Sequence, residues 1–124
     1  MRVAVTGLDG FTGRYVDAIL NGMGIDYVAL DADLTDPAAV ERAVADTAFD
    51  RLIHLAAIAF AGGDDWRAFY EVNQLGTVTL LESVARHRKG ARCILASSAQ
   101  VYGPGAEGLI GENFACNPVG HYAI

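Results

Sequence analysis

The amino-acid sequence predicts an α/β fold, a doubly wound parallel sheet with helices on both faces. Three observations carry that expectation. Short β-branched runs alternate with longer stretches of helical periodicity. Glycines cluster in the turn between the first strand and the first helix, and apolar residues make up 52% of the chain, enough for a packed core. At 124 residues the chain holds a single domain with one modest core.

The elements follow in order. Arg2 to Thr6 (RVAVT) has the β-branched character of a buried parallel strand. Gly7-Leu8-Asp9-Gly10 is a turn. Phe11 to Met23 carries Phe11, Tyr15, Val16, Ile19, Leu20 and Met23 at helical spacing, and Gly24 closes that helix. Asp26 to Asp31 (DYVALD) is the second strand. Thr35-Asp36-Pro37 opens the next helix with a capping side chain and a first-turn proline, and the pattern runs through Val40 and Val44 to Thr47. Arg51 to Ala57 (RLIHLAA) is another buried strand, and Ala59 to Asp65 a glycine-containing loop. Trp66 to Arg88 is one long helix, ended by Gly90, with positive charge in its last turn. Arg92 to Ala96 (RCILA) is the last strand, and no strong periodicity follows Ser97. The crossovers are right-handed by default.

Composition excludes several function classes. The net charge is −6 and no basic block occurs, so neither nucleic acid nor an anionic membrane is an expected partner. No apolar run approaches the roughly 18 residues of a membrane span, and Arg2-Val3-Ala4-Val5-Thr6 does not read as a signal peptide. Cys93 and Cys116 are far apart and form no Cys-x-x-Cys pair, which favours reduced thiols and a cytoplasmic location. The three histidines have no metal-ligand spacing, so no metal is expected.

The most informative segment is Thr6-Gly7-Leu8-Asp9-Gly10-Phe11-Thr12-Gly13, which leaves a strand and opens a helix. That context makes a glycine fingerprint credible. Gly7 allows the tight turn, Gly10 lets backbone approach a pyrophosphate at the helix N-terminus, and Gly13 lets helix and strand pack closely. Glycines in such turns also serve turn geometry alone; after a short apolar strand at the chain start, dinucleotide binding in a Rossmann-like sheet is the reading adopted. Between Gly24 and Asp36 there is room for one strand and a stub where a full unit places two. The second crossover is therefore shortened.

The spacing Gly7-x-x-Gly10-Phe11-x-Gly13 resembles the extended short-chain dehydrogenases, specifically the NAD-dependent epimerase/dehydratase group acting on sugar nucleotides. The likeness continues through Asp33-Leu34-Thr35-Asp36-Pro37, His54-Leu55-Ala56-Ala57, Val72-Asn73-x-x-Gly76-Thr77, Leu80-Leu81-Glu82 and Ser97-Ser98-Ala99-Gln100-Val101-Tyr102-Gly103. It ends with Glu112 and Pro118-x-x-x-Tyr122. These pieces stand in family order and cover essentially the whole chain.

At the end of the second strand, Asp31 is placed to hold the adenine-ribose hydroxyls, and no arginine follows it, so NAD is preferred with NADP left open. The resemblance implies that Asp33 and Leu34 contact adenine; both acids also fit a solvated loop. Leu55, Ala56 and Ala57 close a strand at the carboxyl edge, where small residues let backbone pass near a cofactor. His54 is read as a core or edge histidine satisfied by backbone. By resemblance Asn73 bonds backbone or cofactor at the start of the site, Ser97 supports the nicotinamide side, and Phe11 belongs to the glycine motif. Gly76, unfavourable inside a helix by roughly 1 kcal/mol relative to alanine, is expected to pack closely against the sheet.

The resemblance further implies that Ser98 donates a hydrogen bond to the substrate oxygen and that Tyr122 is the general acid/base. A free tyrosine, with a pKa of about 10, holds its proton too tightly for base work at neutral pH. The family lowers it with a lysine one helical turn on, which here falls just past Ile124. The chain is accordingly expected to be the NAD(P)-binding domain, residues 1–124, of a longer enzyme whose C-terminal sugar-nucleotide domain is absent. Ala99 and Gln100 stand where family dehydratases carry acids, which disfavours elimination. A 4-epimerase or a 4-keto-sugar reductase, with hydride passing between the nicotinamide and a sugar carbon, remains. The other reading is a non-catalytic dinucleotide-binding module or inactive fragment. The resemblance also implies a homodimer formed through the long helix and the tyrosine helix, and an isolated fragment that exposes apolar surface.

Overall fold

The structure, a computed structural model, describes residues 1–59, 65–105 and 107–124. Its sheet is built from β1 (Arg2–Thr6), β2 (Asp26–Ala29), β3 (Arg51–His54) and β4 (Arg92–Leu95), all parallel and ordered β2-β1-β3-β4. The helices are α1 (Phe11–Gly22), α2 (Pro37–Asp46) and α3 (Gly76–His87). The chain leaves β1 for β2 on one side and returns to β3 on the other. The carboxyl ends of β1 and β3 therefore flank the point where strand order reverses, the place where ligands bind in open α/β sheets.

Alternation along the strands divides the core. Ala4 and Leu52 face α2 and α3, together with Leu30, Leu34, Val40, Val44, Leu80 and Val84. Val3 and Val5 face the opposite way and meet Leu20 of α1. Side chains of period two on a parallel sheet with both faces covered give this arrangement directly. The caps follow the sequence reading. Asp36 accepts hydrogen bonds from the amides of Ala38 and Ala39, with Pro37 in the first turn of α2. Gly24, at φ +65°, closes α1 while Ile25 N–H returns to Leu20 O.

The shortened crossover is real. One four-residue strand, β2, lies between Gly24 and Asp36, and Leu30 N–H extends its pairing to Val5 O at 2.8 Å. Two other expectations need revising. The stretch from Trp66 to Arg88 is not a uniform α-helix, because Phe69–Leu75 forms a π-helical segment that leads into α3. A π turn takes up one extra residue, and Gly76 N–H closes it on Glu71 O. Gly76 packs against Leu34 in the β2–α2 connection rather than against the sheet: a Cβ there would lie 2.7 Å from Leu34 Cβ. In α1, Gly13 and Leu20 are buried, whereas Phe11, Tyr15, Ile19 and Met23 form an exposed stripe.

β2 and β4 are the outer strands of the sheet, and the residues of β4 are exposed, Ile94 by 65%. Both cysteines are free and exposed. Among the described residues no helix is long and apolar enough to cross a membrane, and no cluster of metal-ligating side chains occurs. The loop expected over 59–65 lies mostly outside the described residues.

Candidate functional site

The glycine turn sits at the switch point. Gly7 adopts φ +69°, a left-handed conformation that strains any L side chain. A Cβ on Gly7 would also lie 2.8 Å from Ala56 N, so the turn packs backbone against the segment after β3. A Cβ on Gly13 would overlap Gly7 O and Leu8 O, which fixes glycine where α1 crosses the turn. Gly10 makes the N-cap of α1, and no side chain caps that end. The first-turn N–H groups of a helix without a side-chain cap, with the helix dipole behind them, form a ready anion site. Phe11 begins the helix with its ring exposed and packed edge-on against Tyr15.

Thr6 joins the two sides of this cradle. Its Oγ1 lies 3.2 Å from both Leu55 N and Ala56 N and 2.6 Å from His54 Nδ1. The other ring nitrogen of His54, Nε2, lies 2.9 Å from Thr77 Oγ1 on α3. His54 is thus satisfied by two threonine hydroxyls and not by backbone, as the sequence had suggested. The ring is buried, and burial alone pushes its pKa below the ordinary histidine value.

Asn73, inside the π-helical segment, bonds backbone. Its Oδ1 accepts from Ile58 N and its Nδ2 donates to Ile58 O, both at 2.8 Å. The strand end at Leu55, Ala56 and Ala57 is therefore held from β1 by Thr6 and, one residue further on, from the long helix by Asn73.

The acids lie at the carboxyl end of β2. Asp31 is exposed. Asp33 Oδ1 accepts from Thr35 N at 2.9 Å and Thr35 Oγ1 at 2.7 Å, and these bonds to the charged form hold its carboxyl below the usual range. Leu34 turns its side chain into the core, so any contact with a ligand falls to its backbone.

Beyond β4, Ser97 is exposed and Ser98 half-buried, with Ser98 Oγ accepting from Gln100 N at 3.2 Å to cap the 3-10 turn Ala99–Tyr102. Tyr122 is half-buried in a hydrogen-bonded turn and packs edge-on against Phe69, ring centroids 5.5 Å apart. The preceding His121 stacks on Trp66 and lies 3.1 Å from Tyr70 Oη. The chain is tied back at Asn117, whose N–H reaches Val101 O at 2.9 Å. No hydrogen bond joins Ser98 to Tyr122 among the described residues.

Sequence reasoning missed Thr6 and Thr77. The hydroxyl closing β1 was the available signal, since a threonine at a strand end beside a glycine turn has neighbouring amides to satisfy.

The parallel sheet, the switch point and a glycine cradle at an uncapped helix N-terminus together define a Rossmann-fold protein with a dinucleotide-type site. Residues 3–124 match the NAD dependent epimerase/dehydratase family, and the chain belongs to that family. It is 31% identical over its whole length to GDP-6-deoxy-D-talose 4-dehydrogenase of Aggregatibacter actinomycetemcomitans, covering 44% of that relative. It is 34% identical to a putative UDP-arabinose 4-epimerase of Arabidopsis thaliana over 73% of the chain and 21% of the relative. Among solved structures, it superposes on the NAD complex of UDP-glucose 4-epimerase from Thermus thermophilus with a TM-score of 0.87. Identity there is 29%, over 99% of this chain and 46% of that one. The NADPH complex of RMD from Pseudomonas aeruginosa gives 0.83, with 29% identity over 98% of this chain and 43% of that one. The chain thus spans less than half the length of these relatives.

Proposed function

We propose that the chain is the dinucleotide-binding part of an NAD(P)-dependent enzyme that acts on a nucleotide-activated sugar by hydride transfer at a sugar carbon. The observation that supports it best is the cradle: Gly7 and Gly13 leave no room for a Cβ, and the N-terminus of α1 carries no side-chain cap. The residues present fit a dinucleotide. Gly7, Gly10, Phe11 and Gly13 would receive the pyrophosphate, Asp31 the adenine ribose, and Asp33 with the Leu34 backbone the base. Leu55, Ala56 and Ala57, steadied by Asn73, would line the ribose nearer the nicotinamide, with Ser97 on the nicotinamide side. Asp31 with no arginine after it favours NAD over NADP.

When bound, the nicotinamide supplies the hydride acceptor or donor. The chain's own contribution is positional and acid–base. Ser98 Oγ donates a hydrogen bond to the sugar oxygen that changes oxidation state, and Tyr122 Oη takes up or returns that oxygen's proton. Ser98 Oγ only accepts in its bond from Gln100 N, so its own hydrogen is available for that donation. A lysine one turn past Tyr122 and a substrate domain would complete the site in the full-length enzyme, with the long helix contributing to a homodimer. The names of the relatives point to position 4 of the sugar, as dehydrogenase or epimerase. Ala99 and Gln100, in place of acids, weigh against dehydration.

The test is on the full-length protein. Calorimetry should show NAD binding, and incubation with UDP- or GDP-hexoses should give C4 epimerisation or oxidoreduction. Tyr122→Phe and Ser98→Ala should lower turnover by about a hundredfold or more, the scale of general acid–base catalysis, with NAD affinity retained. No NAD or NADP binding would remove the reading. Binding with unchanged turnover in both variants would remove the assigned roles.

A further inference from the structure

His54 is buried, bonded through both ring nitrogens, and absent from the chemistry assigned above. Its surroundings determine its protonation. The amides of Leu55 and Ala56 can only donate; Ala56 N–H points at Thr6 Oγ1, and Leu55 N–H is shared at 3.2 Å between that oxygen and Thr6 O. Thr6 Oγ1 has one hydrogen to give and two acceptor positions. With two amide donors already facing those positions, the arrangement favours giving the hydroxyl hydrogen to His54 Nδ1. The ring is then neutral with its hydrogen on Nε2, which donates to Thr77 Oγ1. A proton added at Nδ1 would meet a hydroxyl already accepting from two amides, and the chain of bonds would break.

This chain of bonds spans three elements. Thr6 ends β1 one residue before Gly7, Leu55 and Ala56 follow β3, and Thr77 stands in the first turn of α3. The same Ala56 N that reaches Thr6 lies where a Cβ on Gly7 would fall. We infer that His54 is a positioning residue: fixed as the neutral Nε2–H tautomer between Thr6 and Thr77, it holds the glycine turn against the β3 segment, and its protonation loosens that cradle and weakens dinucleotide binding. The inference rests on the dinucleotide reading above.

The groups facing the ring support this. From β1 it meets Thr6 and from α3 Thr77, while β4 pairs with it through Leu95 and Ala96 N. None of these carries a charge, and no salt bridge involves His54 among the described residues. Burial is the one cause of its lowered pKa. The folded ring therefore resists protonation below the unfolded value of about 6.5. Stability that depends on the neutral ring is complete above that value and is lost as pH falls from it through the folded pKa.

The experiment has two independent readouts on the purified protein. Ring nitrogen NMR at pH 8 should show Nε2 protonated and Nδ1 bare, and this tautomer should persist below pH 6.5. Calorimetry across pH 8 to 5 should show NAD affinity constant to pH 6.5 and falling below it, in step with the ring titration. Thr77→Val, which keeps shape and removes the acceptor, should weaken NAD by about tenfold and speed exchange of the Ala56 amide by a similar factor, the scale of one buried hydrogen bond. Thr77→Ser should restore both. An Nδ1–H tautomer, a ring titrating at 6.5 or above, or affinity that ignores the ring titration overturns the inference. Failure of the wild type to bind NAD or NADP at pH 8, with the expected tautomer observed, removes the dinucleotide reading and the loss of binding on protonation with it. The tautomer and the Ala56 exchange would then stand as a purely structural lock.

Discussion

Two regions at the carboxyl edge of the sheet are built in opposite ways. Between β1 and β3 the site is made of backbone, and the groups that shape it are the ones the core needs: Gly13 where α1 crosses the turn, Thr6 and His54 between buried strands, Asn73 bonded twice to Ile58. Beyond β4 the candidate reactive side chains rest on a surface. Ser97 is exposed, Ser98 caps a short turn, and Tyr122 leans on Phe69. A cradle made by packing cannot be altered without altering the fold, whereas side chains displayed on a surface can be changed at little structural cost. Binding and stability should fail together in the first region and separate from chemistry in the second.

The largest expected effect tests the first half of that contrast. In Gly13→Val the new side chain would overlap Gly7 O and Leu8 O, where backbone on both sides leaves no room to shift. Overpacking of this kind costs about 3 kcal/mol, read as a fall in the urea midpoint, and NAD binding should be lost with it. A variant of wild-type stability that still binds NAD would break the contrast at its strongest point. Asn73→Ala comes next. It strips the partners from the N–H and C=O of Ile58, each bonded at 2.8 Å, and should cost about 2 kcal/mol. Faster amide exchange at Ile58, with β1 still protected, would place the loss at the loop.

The same contrast explains what was legible in the sequence. β1, β2, α2 and the glycine turn were readable because local rules decide them: β-branched runs, an Asp-Pro helix start, and glycine where φ is positive or a Cβ has no space. Strand ends were read too long, since Asp31 and Ala57 look like strand but lie past the last paired residues. The partners of His54 were not readable, because Thr6 and Thr77 are 48 and 23 residues away and only the folded sheet brings them together. The π turn was hidden for a related reason: Phe69 to Leu75 keeps a helical apolar spacing, and what marks it is a backbone bond, Gly76 N–H to Glu71 O, that no residue type announces. In the tail, Ser98 and Tyr122 are candidates through family resemblance alone, as no periodicity singles them out.

A smaller effect is expected at the β2–α2 connection, which underlies the cradle without forming it. Asp36→Ala removes two hydrogen bonds at the start of α2 and should cost about 1 kcal/mol. Asp33 adds a pH dependence of known sign. Its folded pKa is lowered by Thr35, so its contribution is present above the unfolded value of about 3.9 and is lost as pH falls through the folded one. Carboxyl chemical shifts followed down to pH 2 should show Asp33 titrating below its unfolded value. Titration at or above that value would mean that the Thr35 bonds do not hold in solution.

The smallest effect on stability carries the other half of the contrast. In Ser98→Ala the one bond lost is the 3.2 Å acceptance from Gln100 N at the head of a four-residue turn. Surface changes of this kind stay within about 0.5 kcal/mol, so thermal unfolding and NAD affinity should match the wild type. Turnover in the full-length enzyme should nonetheless fall far more than that stability change could account for, since a site displayed on a surface depends on its functional group and little on its packing. If Ser98→Ala instead unfolds the segment after β4, seen as deprotection of amides from Ala99 to Tyr102 with turnover and stability lost together, the serine belongs to the scaffold. The division between a packed cradle and a displayed reactive edge would then fail at that residue.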